Sequence, residues 1–180
     1  EKCIAWNAAR YDQEYDYKLA VKLLLEETEE LYSASSVVEM LDAIGDITFV
    51  AIGVFWKLGL SGKTIAKFFH EVNLCAMSME EAFEWAGSCQ VIAMDEMNLD
   101  QEGAFPGLNL ACYSAFITAL GALRGLGMQH SYYNVVHAIC DSNATKEIKG
   151  KSAANVKANI IKVSNYIPPT DKITHIELLH

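Results

Sequence analysis

Two clusters of acidic residues carry the side chains that hard divalent metal ions prefer. The first is the run Glu-Glu-Thr-Glu-Glu at positions 26–30, and the second is the pair Asp42 and Asp46. On a helix these aspartates share one face, where like charges at this spacing repel by roughly 0.2–0.5 kcal/mol even when exposed. Ligation by oxygen alone favours Mg²⁺ or Mn²⁺ over zinc. The two clusters therefore predict a magnesium or manganese site.

The pair of aspartates is the more specific signal, because it lies inside an apolar stretch. Positions 37–50 are mostly aliphatic around Asp42 and Asp46, and no Lys or Arg occurs between positions 22 and 57. Burial of an unpaired carboxylate has a large free-energy cost unless a cation or hydrogen bonds compensate it. A bound metal ion would compensate both charges. The run at 26–30, taken alone, is typical of a solvated helix face.

Helix signals place the two clusters on successive helices. We predict the first helix from about Lys18 to Ser33 and the second from about Val37 to Leu58, with a short turn between them. Ser36, followed three residues later by Glu39, forms a capping box at the start of the second helix. Gly59 marks the end of that helix.

Composition favours helix in the rest of the chain as well. The 180 residues include only three Pro, and 52% of them are hydrophobic, which is enough to bury a core. Further helices are predicted at about 63–77, 108–126 and 132–140, with a loop at 100–107 and a polar, irregular tail at 142–180. We therefore expect one all-α domain over residues 1–180.

A weak internal repeat appears when the chain is compared with itself at an offset of 68 residues. It would pair residues 18–78 with residues 86–146, although chance identity of common residues explains such matches too. The aligned identities include two glycine pairs, Gly53 with Gly121 and Gly59 with Gly127. Asp46 aligns with Ser114, so a duplication would leave the acidic cluster in the first copy only.

Charge and cysteine content limit the possible partners and compartments. The formal net charge of −9 argues against a nucleic-acid partner or an anionic membrane surface, because either needs a basic patch. The five cysteines are odd in number and lie in apolar surroundings, which predicts free thiols in a reducing, cytoplasmic compartment. The longest apolar stretch, 44–56, is too short to cross a membrane and contains Asp46.

The acidic spacing resembles the signature of a known group of enzymes. Positions 26–30 and 41–46, Leu-Asp-Ala-Ile-Gly-Asp, resemble the EExxE and ExxD motifs of the all-α nucleoside triphosphate pyrophosphohydrolases. That superfamily includes MazG proteins, phosphoribosyl-ATP pyrophosphohydrolase and dimeric dUTPases. The resemblance implies an all-α helical bundle that uses Mg²⁺, or Mn²⁺, to convert a (deoxy)nucleoside triphosphate to the monophosphate and pyrophosphate.

The resemblance also implies roles for individual carboxylates. The metal ligands would be Glu27, Glu30, Asp42 and Asp46, and the catalytic residues would be Glu26, Glu27 and Glu30. The sequence departs from the motif at Ala43, where the family has the Glu of ExxD. Asp42, beside it, is the stand-in for that ligand.

Two flanking segments resemble phage-type members of the family, Ala-Trp-Asn-Ala-Ala-Arg at 5–10 and Asp-Ser-Asn-Ala-Thr-Lys at 141–146. They imply a substrate-binding set of Trp6, Asn7, Arg10, Asn143 and Lys146, and a location in the cytoplasm of a host cell. Ordinary explanations compete with these roles. Trp6 also suits core packing, Asn143 can cap a helix, and the lysines near 146 can be solvated.

Two other classes of function stay open on the sequence. Ala43 is compatible with a nucleotide-binding or regulatory protein that has weak or no turnover, and the helical pattern alone is compatible with a structural bundle. Exposed apolar surface on helices this hydrophobic also predicts a homodimer or homotetramer.

Overall fold

The computed structural model describes residues 1–10, 17–73, 119–148, 160–161 and 166–179. The helices in these ranges are α1 (Lys2–Arg10), α2 (Tyr17–Ser33), α3 (Val37–Lys57), α4 (Gly62–Asn73), α5 (119–125), α6 (Tyr132–Ala144) and α7 (Thr170–Leu178). A 3₁₀ turn, Gln129–Ser131, precedes α6, and strand β1 (Glu147–Ile148) pairs antiparallel with β2 (Ile160–Ile161). The all-α class is confirmed for the described residues. The predicted loop at 100–107 lies outside them, as do parts of the helices predicted at 63–77 and 108–126.

Helix α3 is the centre of the fold, because α1, α2, α4, α6 and α7 all pack against it. The sequence explains this position, since apolar residues occur on nearly every face of α3 and a helix of that kind is stable when other helices surround it. The side chains that are almost fully enclosed include Leu41, Ile44, Ile47 and Ala51, each 0% exposed.

Both ends of α3 are fixed by the local signals predicted for them. Ser36 Oγ accepts a hydrogen bond from the Glu39 backbone N–H at 3.2 Å. The Glu39 carboxylate accepts in return from the backbone N–H and the hydroxyl of Ser35, at 2.6 and 2.8 Å. At the other end Gly59 has φ +83°, a conformation that glycine adopts without strain. The predicted capping box at Ser36 and the predicted helix end at Gly59 are both confirmed. The Glu39 carboxylate, however, accepts its hydrogen bonds from Ser35.

Two glycines let neighbouring helices approach α3 closely. A Cβ on Gly45 would lie 2.4 Å from Ile139 Cγ1 of α6, and one on Gly53 would lie 2.9 Å from Asn7 Oδ1 of α1. Real Cβ atoms do not tolerate such distances, so both contacts need glycine. The glycines thereby set the positions of α1 and α6, whose final turns contribute to the site described below.

The C-terminal part differs from the sequence prediction. Helix α6 continues to Ala144 rather than ending at 140, and the tail predicted as irregular contains α7. Ile173 and Ile176, three residues apart on one face of α7, are 0% and 9% exposed against the core. Two apolar residues are too short a pattern to predict a helix from sequence. In the described part of the chain no helix combines the length and apolarity that a membrane crossing requires.

Both copies of the predicted repeat are described where residues 51–73 align with residues 119–141, and the end of a helix can be compared there. Gly59 and Gly127 have φ +83° and +72°. Each donates its backbone N–H to the carbonyl three residues earlier, Trp56 at 2.9 Å and Arg124 at 2.8 Å. This termination agrees with an offset of 68, but it is also a common way for helices to end. Most of the second copy lies outside the described residues, so the duplication stays a prediction.

Candidate functional site

The glutamates of α2 lie beside its buried face. That face consists of Ala20, Leu24, Thr28 and Leu31. Thr28, 1% exposed, satisfies its hydroxyl by donating to the Leu24 carbonyl at 2.6 Å. Glu26 and Glu27 are partly buried, whereas Glu29 and Glu30 are exposed. The run at 26–30 is therefore not a uniformly solvated face, because part of it enters the contact with α3.

The aspartates of α3 lie on a narrow strip that the neighbouring helices leave partly open. Asp42 and Asp46 are partly exposed, although the residues on either side of each, at 41, 43, 45 and 47, are buried. Asp46 acts electrostatically on Glu27. Asp42 and Glu30 line the same cleft. Each predicted ligand on α3 is thus related to one on α2, Asp46 to Glu27 through its charge and Asp42 to Glu30 through a shared cleft.

Glu27 has an unusual protonation equilibrium. Its pKa is raised to about 8, first because the side chain is withdrawn from solvent and then because of the negative charge of Asp46. Glu30 and Glu26 raise the pKa of Glu27 further, whereas the positive charge of Lys146 lowers it. Glu27 is therefore mostly neutral at pH 7. A cation bound nearby would favour its ionised form.

A polar cleft of about 330 Å³ opens at the turn between α2 and α3. Its walls are Glu30, Ser33, Ala34, Ser35, Glu39, Asp42 and Ala43. Ala43 lines the cleft although it is only 2% exposed, and its methyl group has no oxygen that could bind a metal ion. Asp42 Oδ1 lies below the surface beside the cleft. Asp42 is thus the carboxylate that lines the cleft next to position 43, where the family motif has its Glu.

The four carboxylates suit Mg²⁺ by chemistry, because all of them are hard oxygen donors on two packed helices. Within the ranges that the structure describes, no three acidic, His or Cys side chains are grouped closely enough to hold a metal ion. Carboxylates that repel one another favour separated rotamers, and a cation reverses that preference. Metal ligation by Glu27, Glu30, Asp42 and Asp46 stays a prediction.

The predicted substrate-binding residues come together at the ends of α1 and α6. The Trp6 indole N–H donates to the Asn143 carbonyl at 2.8 Å. Arg10 stacks its guanidinium 4.3 Å from the centroid of the Trp6 ring and donates to the Lys146 carbonyl at 3.4 Å. Lys146 also lowers the pKa of Glu27, so this basic and aromatic cluster is within electrostatic range of that carboxylate.

Two members of the predicted set have mainly internal contacts. Asn7 is 6% exposed and donates to the Cys3 carbonyl at 2.9 Å, with its amide oxygen against α3 at Gly53. The Trp6 ring packs edge to face on Phe49 at 5.1 Å. Both arrangements are core packing, the alternative already considered for Trp6. A substrate role for either residue stays a prediction.

Tyr166 is a member of this cluster that sequence reasoning did not assign to the site. Lys146 Nζ lies 5.8 Å from the centroid of its ring. Its hydroxyl accepts a hydrogen bond from the Ser142 hydroxyl at 3.4 Å. Tyr166 falls in the segment predicted as an irregular tail, and no spacing connects it to position 146. The segment Tyr-Ile-Pro-Pro at 166–169 also fits the family resemblance, but only the tertiary fold places Tyr166 beside Lys146.

Comparison with models of known families, with curated proteins and with solved structures gives no match to this chain. The functional inference therefore depends on the residues and their geometry.

Proposed function

We propose that the protein is a Mg²⁺-dependent nucleoside triphosphate pyrophosphohydrolase of the MazG-like all-α type. Its substrate would be a (deoxy)nucleoside triphosphate, and its products the monophosphate and pyrophosphate. The observation that carries the proposal is the electrostatic effect of Lys146 on Glu27, whose pKa it lowers. This effect links two sets of residues that are distant in sequence. The carboxylates would bind a cation, and the basic groups would bind a triphosphate.

The four carboxylates Glu27, Glu30, Asp42 and Asp46 would hold the cation. A bound Mg²⁺ would supply neutralisation of phosphate charge and a lower pKa for an attacking water. Glu26, which is partly buried, or Glu30, which is exposed, would accept the proton of that water.

The basic cluster would bind the substrate. Lys146 and Arg10 would contact phosphate oxygens through charge-assisted hydrogen bonds, which are stronger than those between neutral groups. Asn143, 5% exposed, would hydrogen-bond the sugar or base. Arg10 is already held against the Trp6 ring, so its guanidinium loses less freedom on binding.

A nucleotide-binding protein with weak or no turnover is the second candidate. It is favoured by Ala43, which stands where the family motif has a carboxylate. This protein would bind a nucleoside triphosphate at the same site without releasing pyrophosphate.

The proposed assembly is a homodimer or homotetramer in the cytoplasm, with neither nucleic acid nor membrane as a partner. Large apolar side chains are exposed near the C-terminus, with Leu178 77%, Leu179 71% and Ile167 56% exposed. Association of two chains would remove such surface from water.

A turnover assay with the eight common nucleoside triphosphates, in Mg²⁺, Mn²⁺ or EDTA, tests the proposal. We expect pyrophosphate and a monophosphate in Mg²⁺ or Mn²⁺ and no reaction in EDTA. Glu27→Gln should abolish turnover, whereas the matched variant Glu29→Gln, on the exposed side of α2, should retain it. Binding of a triphosphate without turnover would favour the second candidate. Orthophosphate with a diphosphate product would refute the proposed reaction.

A further inference from the structure

The end of α6 is tied to the segment that precedes α7. We define the C-terminal strap as residues 166–169, Tyr-Ile-Pro-Pro. The Ile167 backbone N–H donates to Thr145 Oγ1 at 3.0 Å, and the same hydroxyl donates to the Ser142 carbonyl at 2.7 Å. Together with the bond between Ser142 and Tyr166, these contacts fix the Tyr166 ring beside the last turn of α6.

The strap is held from its other side as well. Pro169 is buried, and α7, which follows it, buries Ile173 completely, at 0% exposed. Lys172 of α7 forms an ion pair with Asp141 of α6 at 2.8 Å. The position of the Tyr166 ring is therefore set by the core and by polar contacts to α6.

We infer that Tyr166 is a positioning residue that holds the Lys146 side chain in the orientation needed to bind a triphosphate, an inference that rests on the proposed function. Lys146 follows Thr145, the C-cap residue of α6, so the helix does not restrain its side chain. Its ammonium group lies 5.8 Å from the centroid of the Tyr166 ring, within the range of a cation–π contact.

Such a contact favours binding by reducing the entropy that the lysine loses. A free lysine side chain has several rotatable bonds, and its ordering at a phosphate has a conformational entropy cost. A ring that already confines the ammonium group lowers that cost without touching the substrate. Arg10 is confined in the same way, over the Trp6 ring at 4.3 Å. Both cations assigned to the triphosphate are thus held by aromatic rings.

A double-mutant cycle tests this role through Tyr166→Leu and Lys146→Gln. The probe is a non-hydrolysable imido nucleoside triphosphate with Mg²⁺, titrated calorimetrically. We expect Tyr166→Leu to weaken its binding about two- to fivefold, the range of an exposed cation–π contact. Tyr166→Phe, which keeps the ring and loses the bond to Ser142, should bind like the wild type. In the Lys146→Gln background, Tyr166→Leu should cause no further loss. Neither Tyr166→Leu nor Tyr166→Phe should change the Mn²⁺ affinity measured without nucleotide.

A second measurement examines the contact without any ligand. In the wild-type protein the ε-methylene protons of Lys146 should show an upfield ring-current shift by NMR, and Tyr166→Phe should retain it. Absence of that shift overturns the inference even if Tyr166→Leu does not fold. Equal losses of affinity in the wild-type and Lys146→Gln backgrounds would also overturn it, because they indicate a general structural effect. Wild-type protein that fails to bind the probe refutes the proposed function, whereas equal binding by wild type and Tyr166→Leu refutes only the role of Tyr166.

Discussion

Lys146 and Glu27 are 119 residues apart in the sequence, yet the ammonium group of one lies close enough to the carboxyl group of the other to lower its pKa. This effect opposes the larger ones of burial and of the Asp46 charge. The balance leaves Glu27 mostly neutral at pH 7 and ready to ionise when a cation binds. The pair therefore couples the predicted metal site to the predicted phosphate site.

In metal-free buffer we expect Glu27 to reduce stability as the pH rises. Its pKa is about 8 in the folded protein and about 4.3 in an unfolded chain, so between these values the folded state binds the proton more tightly. The resulting stabilisation is complete below about pH 4 and is lost as the pH rises through about 8. Because Glu27 is partly exposed, solvent screening reduces the loss in the free energy of unfolding to on the order of 2–4 kcal/mol.

Urea unfolding in EDTA at about pH 5.5 and about pH 8.5 measures this loss. Glu27→Gln cannot ionise at this position, so it should lose less stability between the two pH values than the wild type. Glu29→Gln, on the exposed side of α2, should behave like the wild type. The same pH dependence in all three proteins would contradict the raised pKa.

Metal binding at pH 7 is expected to release protons. Because the pKa of Glu27 is about 8, most molecules hold a proton there that a bound cation must displace. Calorimetric titration with Mn²⁺ in two buffers of different ionisation enthalpy should give a release of nearly one proton per site. Glu27→Gln should bind Mn²⁺ more weakly and release almost none. Proton release that is unchanged in this variant would assign the effect to another group.

Asp46→Asn is expected to lower turnover at least about a hundredfold without destabilising the metal-free protein. The change removes like-charge repulsion with Asp42, so the melting temperature in EDTA should be unchanged or higher. Asp141→Asn is the contrasting variant, since Asp141 pairs with Lys2 at 2.9 Å and with Lys172 at 2.8 Å. Loss of these surface pairs should lower stability by about 1 kcal/mol. A clearly lower melting temperature for Asp46→Asn would identify Asp46 as an ordinary structural residue.

Gly45→Ala tests whether close packing of α6 on α3 positions the site. The new methyl group would meet Ile139 Cγ1 at 2.4 Å, which should cost about 1–3 kcal/mol and displace the end of α6 that carries Lys146. We therefore expect a higher KM for the triphosphate. Gly62→Ala is the control, because its nearest atom is the flexible end of Ile4 at 3.3 Å.

Ile139→Ala supplies the matching half of a double-mutant cycle. This substitution removes Ile139 Cγ1, the atom that the new methyl group of Gly45→Ala would strike. The double variant should therefore be about 1 kcal/mol more stable than the sum of the two single losses predicts. Additive losses would show that Gly45 does not act through this contact.

The sequence predicted those parts of the protein that depend on local signals. The bounds of α2 and α3 follow from periodicity and from the cap at Ser36, and the carboxylate spacing placed Asp42 and Asp46 on one strip of α3. Helix α7 was missed because only Ile173 and Ile176 mark its buried face. The contacts of Lys146 with Glu27 and Tyr166 were not predictable, since they depend on how distant helices pack.

The last prediction concerns the repeat, which the equivalent turns at Gly59 and Gly127 motivate. In that register Glu27 aligns with Asp95, and Asp46 with Ser114. A second copy with Ser114 at this position lacks one carboxylate of the predicted metal site, so it would complete the pocket without binding metal. We expect Glu27→Ala to abolish turnover and Asp95→Ala to retain most of it, as measured by pyrophosphate release in Mg²⁺. Equal losses from the two substitutions would mean that both halves contribute ligands, and the idea of a degenerate copy would then be wrong.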